Sequence, residues 1–173
     1  VAQLASKDVA YATGHPALRP FYQYEVNLDT FAQVIADKQR DAIDRALLVS
    51  VLEEQYADLP KVPAVQQAIA TLGQSNTFTI VTAHQPTLFT GPLYYIYKIF
   101  SAINLVQQLR QRYPASQFVP VFVNGAEDHD FEEINHTQLF GKPLVWENEE
   151  SGAVGLMKTS SLGPVLAQLQ ELL

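Results

Sequence analysis

The chain has 173 residues, 47% of them hydrophobic, with 11 Lys and Arg against 18 Asp and Glu for a net charge of −7. That size and apolar content allow one ordinary domain with a sizeable core and exclude the composition of a disordered chain, and the acidic balance excludes a general nucleic-acid binder while leaving room for a local basic pocket. The absence of cysteine excludes disulfides and thiolate metal sites, and with no run approaching the roughly 20 apolar residues of a membrane span and no signal-peptide pattern at the start, a cytoplasmic protein without nucleic-acid or membrane partners is expected.

The first 25 residues are poorly periodic, and Gly14-His15-Pro16 and Arg19-Pro20 punctuate them as loop. His15 reads as an ordinary loop residue, and Phe21-Tyr22 as a lead-in that packs on the core. Phe31, Val34 and Ile35 form a short helical stripe, and Ile43, Ala46, Leu47 and Leu48 begin a second that runs into Val51 and Leu52. Leu59-Pro60 and Val62-Pro63 break the pattern. Val65, Ala68, Ile69 and Leu72 form another helix, with Gly73 suited to its C′ position. Residues 1–76 thus read as a helical lead-in packed on a core that begins at Thr77.

Thr77 to Thr82 is β-rich and apolar enough for a buried strand. Leu93, Ile96, Tyr97, Phe100, Ile103, Val106 and Leu109 then recur at helical spacing to about Arg112, with Tyr97 expected in the core, Thr90 as a cap and Pro92 in the first turn. Tyr113-Pro114 ends that helix, and Phe118 to Val123 is the next strand. Such a β-α-β unit is almost always parallel. Further on, Gln138 to Phe140 and Leu144 to Glu147 resemble a hairpin split by Gly141-Lys142-Pro143, with Trp146 in core or interface. Glu147 to Glu150 reads as a solvated turn and Val154 to Met157 as a short strand. Ser160 or Ser161 caps a last helix carrying Leu162, Val165, Leu166, Leu169 and Leu172. The reading is α/β: a Rossmann-like parallel sheet with flanking helices, whose first part occupies 77–173 with a small β-hairpin insertion. The start at Val1 rather than Met and the uncapped helix at Leu173 suggest that the fold is incomplete in a fragment.

Two polar loops follow the two strands. In open parallel sheets, ligands bind beyond the carboxyl ends of the strands, where a helix N-terminus offers N–H groups and partial positive charge. In the first loop His84 and Gln85 can exchange hydrogen bonds with a ligand, Thr87 and Thr90 add hydroxyls, and Gly91 lets the backbone approach closely. Tyr94 points toward the loop end, and Lys98 can reach back to a phosphate or carboxylate. The run is neither a G-x-G-x-x-G fingerprint nor a Walker A loop. The second loop, from Asn124, sets Glu127, Asp128, His129 and Asp130 in a row. Clustered carboxylates there can bind a ligand amine or ribose hydroxyls, hold Mg²⁺, or work in acid–base chemistry with His129. If 130–136 is helical, His129, Glu133 and His136 share a face, and a metal-dependent hydrolase is an alternative. A non-catalytic interaction domain is another, and the bland reading of Glu132 and Glu133 is an acidic helix start.

The runs Thr82-Ala83-His84-Gln85-Pro86-Thr87-Leu88-Phe89-Thr90-Gly91-Pro92-Leu93-Tyr94 and Gly125-Ala126-Glu127-Asp128-His129-Asp130-Phe131-Glu132-Glu133-Ile134, with Leu18-Arg19-Pro20-Phe21-Tyr22 upstream and Lys158-Thr159-Ser160-Ser161-Leu162 downstream, resemble the BshC family, the cysteine-adding enzymes of bacillithiol biosynthesis. The resemblance spans most of the chain and implies its N-terminal part. It implies a Rossmann-like core related to nucleotidyltransferases and aminoacyl-tRNA synthetases, inserted connecting segments, and a C-terminal coiled coil; whether a homodimer forms through the missing C-terminal part is left open by the sequence. The implied reaction joins L-cysteine to glucosaminyl-malate as an amide, most simply through an acyl-adenylate, with ATP as cosubstrate. On the residues and this resemblance together, catalytic roles are expected for His84, His129 and Asp128. Substrate or nucleotide binding is expected for Gln85, Thr90, Gly91, Tyr94, Lys98, Asn124, Glu127 and Asp130, with no metal ligand assigned. Ala83-His84-Gln85 departs from the family's Gly-Gln-Gln pattern toward the synthetase signature.

Overall fold

The computed structural model describes residues 5–173. They divide into two units, one containing the described residues up to Phe78 with Tyr113–Gln117, the other Thr79–Arg112 with Phe118–Leu173.

In the first unit the helical stripes become α1 (Ser6–Ala12), α2 (Phe31–Lys38), α3 (Arg45–Gln55) and α4 (Pro63–Leu72). Asp44 starts α3 by accepting the Leu47 N–H at 2.9 Å, a helix-end bond that satisfies an otherwise orphaned donor. Pro63 opens α4, where its missing N–H costs nothing. Ile69 and Leu72 are the buried side chains of α4. The expectation for Gly73 fails: its φ is −67°, in the ordinary helical region, not the left-handed one. The end of α4 closes with backbone bonds from Gly73 to the Ala70 carbonyl and from Gln74 to the Thr71 carbonyl, and side chains add to them, Arg45 donating to the Leu72 carbonyl at 2.9 Å and the Thr77 hydroxyl to the Thr71 carbonyl at 2.7 Å. Phe21 is 83% exposed rather than packed on a core. Its neighbour Tyr22 meets the Tyr11 ring edge-on, with the Arg19 guanidinium 5.2 Å from its centroid. His15 caps the following turn by accepting the Ala17 N–H.

The second unit holds most of the β-α-β core, whose strands begin in the first. β1 (Thr77–His84) and β2 (Gln117–Asn124) form one parallel two-stranded sheet. Gln117 N–H donates to the Asn76 carbonyl and Gly125 N–H to the His84 carbonyl, a constant offset that parallel pairing produces. Between the strands runs α5 (Leu93–Arg112). Its last turns bury Val106 and Leu109, and Phe118 of β2 is 1% exposed. Full burial of such side chains stabilises by roughly 1.5–3 kcal/mol each. Arg110 fastens α5 to β2 with two bonds to the Phe118 carbonyl, 3.1 and 2.6 Å long.

The first half of α5 departs from expectation. Leu93 is 64% exposed, and Tyr97, expected in the core, and Phe100 are each 63% exposed. β1 is likewise half-buried in alternation, with Val81 at 57%, rather than covered on both faces. Two strands present too little apolar surface for a 20-residue helix, so only part of the stripe is covered.

A second core joins the rest. α6 (Phe131–Ile134) leads into an antiparallel hairpin of β3 (His136–Leu139) and β4 (Lys142–Val145), and the chain continues to α7 (Gly163–Leu172). Phe140 and Gly141 make a two-residue turn, both at positive φ, so Lys142 and Pro143 belong to the strand rather than to the loop. Leu88, Ile134, Leu144, Trp146, Val154, Met157 and Val165 bury together. The expected strand at Val154 to Met157 is instead a 3-10 turn over Val154–Leu156. Its N–H groups reach loop carbonyls, from Val154 to Asp128 at 2.7 Å and from Gly155 to Ala126 at 2.8 Å, so no ladder is needed. Ser161 caps no helix; its hydroxyl oxygen accepts the indole N–H of Trp146 at 2.8 Å, and Leu162 precedes α7 without a side-chain cap. Among the described residues no helix is long and apolar enough to cross a membrane.

Candidate functional site

The two polar loops meet where β1 and β2 end. The Gly125 N–H bonds the His84 carbonyl at 2.9 Å, and a Cβ on Gly125 would stand 3.8 Å from the Gln85 nitrogen. The first loop bends sharply. Phe89, Thr90 and Gly91 have φ of 48°, 77° and 59° in succession, and a Cβ at Gly91 would collide with Thr87. Positive φ at non-glycine residues costs free energy and gathers at functional loops. Thr90 therefore does not cap α5. The helix begins at Leu93, with Pro92 just before it and the Tyr95 N–H bonded to the Pro92 carbonyl at 2.9 Å.

His84 is 8% exposed and its ring faces α5. Its Nδ1 lies 3.1 Å from the Gln85 carbonyl and its Nε2 2.7 Å from the Tyr94 hydroxyl. The rings of Tyr94 and Tyr95 flank it at 5.3 and 5.2 Å. The Lys98 ammonium stands 5.8 Å from the centre of the Tyr94 ring, a cation–π distance. His84 is thus a buried, twice-bonded group, and the exposed members of this cluster are Tyr94 and Lys98.

Gln85 turns the other way, into the acidic loop. Its side-chain amide donates to Asp128 Oδ2 at 3.1 Å and to Glu133 Oε2 at 2.9 Å. This one neutral donor joins the two loops and holds two carboxylates together. Asp128 also accepts the Asp130 N–H at 3.0 Å. That bond, then the His129 N–H and the Gln85 amide, hold its carboxyl below the usual aspartate value and outweigh the opposing effect of desolvation. Asp130 is committed to structure, capping α6 through the Glu133 N–H at 3.2 Å. His129 projects outward, 89% exposed, with Nδ1 3.9 Å from Asp128 Oδ1. Glu127 and Asn124 are exposed. Asn124 also lines, with Thr87 and Thr159, the polar side of a cavity of about 380 Å³ floored by Leu88, Trp146 and Met157.

The structure therefore brings Gln85, Asp128 and Glu133 together, pairs His84 with Tyr94 and Lys98, and leaves Glu127 and His129 in solvent. The shared helix face behind the hydrolase alternative does not form. α6 stops at Ile134 and His136 starts β3, its Nδ1 3.1 Å from the Glu132 carbonyl. Among the described residues, no three His, Asp or Glu side chains lie close enough to share a metal. Sequence reasoning missed Glu133 as a partner of Gln85, and it missed Gly155, where a Cβ would stand 2.4 Å from that of Ala126. Glu133 enters the sequence reading only as a metal-ligand candidate or an acidic helix start, and neither pairing carries a signal of its own, because both join segments far apart in the chain.

The family model described as "Bacillithiol biosynthesis BshC, N-terminal Rossmann-like domain" matches residues 4–173. A Flavobacterium psychrophilum protein named "Putative cysteine ligase BshC" is 42% identical over 157 residues, covering 89% of this chain and 30% of the relative. Proteins of the same name from Cytophaga hutchinsonii and Bacillus thuringiensis are 37% and 35% identical, covering 98% and 73% of this chain. The chain spans about a third or less of these relatives, 30%, 33% and 23% of their lengths.

Proposed function

Because the chain belongs to the BshC family through its N-terminal Rossmann-like domain, we propose that it forms one wall of the active site of a cysteine ligase in bacillithiol biosynthesis. The reaction on this reading joins the L-cysteine carboxylate to the amine of glucosaminyl-malate. The observation that carries it is the Gln85 bridge to Asp128 and Glu133 at the carboxyl ends of β1 and β2. Two carboxylates sharing one neutral N–H₂ group form a receptor for a further amine or hydroxyl, and Asp128 stays ionised to fill that role.

A carboxylate resists attack by an amine, and ATP, when bound, would supply its activation. The residues present suit its phosphates: α5 is a long helix whose first N–H groups, at Leu93 and Tyr94, point out of its N-terminus. With the Thr90 hydroxyl and Lys98 they would hold the anion, and the Gly91 bend would let the backbone approach. Mg²⁺ would accompany the phosphates rather than occupy a dedicated protein cage. This chain's own task is then positioning. Asp128 and Glu133 orient the substrate amine, Gln85 fixes both carboxylates, and His129 stands on the solvent side beside Asp128 as a base. Orientation of this kind supplies much of the catalysis in bond-forming reactions.

The test is amide formation from labelled L-cysteine and glucosaminyl-malate by the full-length protein, with and without ATP. ATP-dependent product is expected, and a Gln85→Ala variant should lose most of it. Product formed equally without ATP, or none at all, would overturn the proposal.

A further inference from the structure

We infer that His84 is a positioning residue that acts through Tyr94, and that the Tyr94 hydroxyl is the group of this pair that touches a substrate N–H or O–H. The inference deepens the ligase reading and rests on it for the identity of the substrate. A carbonyl oxygen only accepts, so the 3.1 Å contact between His84 Nδ1 and the Gln85 carbonyl puts a proton on Nδ1. In the neutral ring Nε2 is then an acceptor, and the 2.7 Å contact there takes the phenolic proton of Tyr94. With its proton turned inward, the Tyr94 oxygen presents lone pairs outward, where an ammonium or a sugar hydroxyl can donate to it.

Burial supports the division of roles. His84 is 8% exposed and has both nitrogens occupied, so a ligand reaches it only by displacing a partner, whereas Tyr94 is 47% exposed. The flanking Tyr95 ring at 5.2 Å holds the imidazole from the side, and Tyr95 is itself held by Phe122 of β2 at 5.2 Å. The pair is therefore anchored to the sheet, while the hydroxyl sits in the first turn of α5.

What His84 must supply on this account is an acceptor at one point, not a proton-transfer group. A glutamine carbonyl can do the same, so His84→Gln should keep kcat/KM within about threefold in the full-length enzyme. His84→Leu and Tyr94→Phe should each lower kcat/KM about ten- to a hundredfold, the worth of one hydrogen bond to a charged donor. The His84→Leu/Tyr94→Phe double variant should fall no further than either single one, because both remove the same contact. Independently of turnover, ¹⁵N spectra of the wild-type imidazole should show Nδ1 protonated and Nε2 as acceptor, with the Nε2 signal moving in Tyr94→Phe.

Full activity of Tyr94→Phe, losses that multiply in the double variant, or a proton resident on Nε2 would each overturn the inference while leaving the ligase reading in place. If the full-length enzyme forms no amide, the ligase reading falls. The imidazole spectra then decide the His84–Tyr94 geometry alone, and Nε2 protonation still overturns it.

Discussion

Substituting Gly91 by alanine probes how the first loop is built. Gly91 has φ 59° and ψ −154°, a corner of backbone space that is essentially reserved for glycine. Forcing another residue there costs about 1–3 kcal/mol. A Cβ would also lie 2.6 Å from Thr87 Oγ1, 2.7 Å from its Cβ and 3.0 Å from its Cγ2. Because the Thr87 Cβ is bonded directly to its backbone, rotation of the side chain does not relieve the clash, and overpacking adds roughly 1–3 kcal/mol. The combined expectation for Gly91→Ala is a loss of about 2–6 kcal/mol. Gly141 is the control: its φ is 77°, yet nothing lies within 4 Å of a Cβ there. Gly141→Ala should cost only the backbone component, about 1–2 kcal/mol. Urea unfolding can be followed through Trp146, the one tryptophan, whose core cluster includes Leu88 and Phe89 of this loop. Completing the cycle with Thr87→Gly should return the steric part as a favourable coupling of about 1–3 kcal/mol. A Gly91→Ala loss no larger than that of Gly141→Ala, or no coupling to Thr87, would refute the close-packed bend.

Gly155→Ala should push the Val154–Leu156 turn off the acidic loop, because its Cβ would meet that of Ala126 at 2.4 Å and the Ala126 carbonyl oxygen at 2.9 Å. A loss of about 2–4 kcal/mol is expected from overpacking and weakened hydrogen bonds, read as faster amide exchange at positions 154 and 155; unchanged protection would count against it. The Asp128 carboxyl is held below its unfolded value, first by the Asp130 N–H, so its stabilisation of the loop is present above about pH 4 and lost as pH falls through the lower folded value. Carboxyl titration by NMR should show Gln85→Leu raising the Asp128 midpoint toward the ordinary value, since that side chain is among the groups that lower it, and an unmoved midpoint would remove Gln85 from the account. Ser161→Ala leaves the 7% exposed Trp146 without its indole partner; a loss of about 1–3 kcal/mol is expected, and melting at the wild-type temperature would contradict it.

What was legible in the sequence follows from how local each signal is. α5 appears from Leu93 to Arg112 as its apolar spacing indicates, and both strands appear with their polar loops at one end of the sheet. Those signals lie within one stretch of chain. The capping assignments fail because caps compete with tertiary partners. Gly73 ends α4 in the ordinary helical region while Arg45 takes the Leu72 carbonyl, and Ser161 serves Trp146 instead of a helix. Tyr97 and Phe100 show the same limit from the other side. Their spacing marks an apolar face, but spacing does not reveal how much sheet is present to cover it. The candidate site was legible as two loops, and its internal wiring was not, because Gln85 meets Asp128 and Glu133 across separations of 43 and 48 residues.

The division between His84 and Gln85 follows from strand parity. Successive side chains along a strand point to opposite faces, so the last residue of β1 and the one after it do not serve the same surface. His84 takes the face against α5 and is held there by Tyr94 and Tyr95. Gln85 takes the face toward the acidic loop, where its neutral amide bridges two carboxylates without adding charge of its own. A histidine is thus tolerated at 84 because that position needs a hydrogen-bond acceptor in a buried aromatic setting. A charged residue at 85 would be a poor substitute, since a cation would neutralise the pair and an anion would repel it. On the ligase reading, an amine or hydroxyl donor at the two carboxylates would depend on the residue at 85, and the orientation of the Tyr94 hydroxyl would depend on the acceptor at 84.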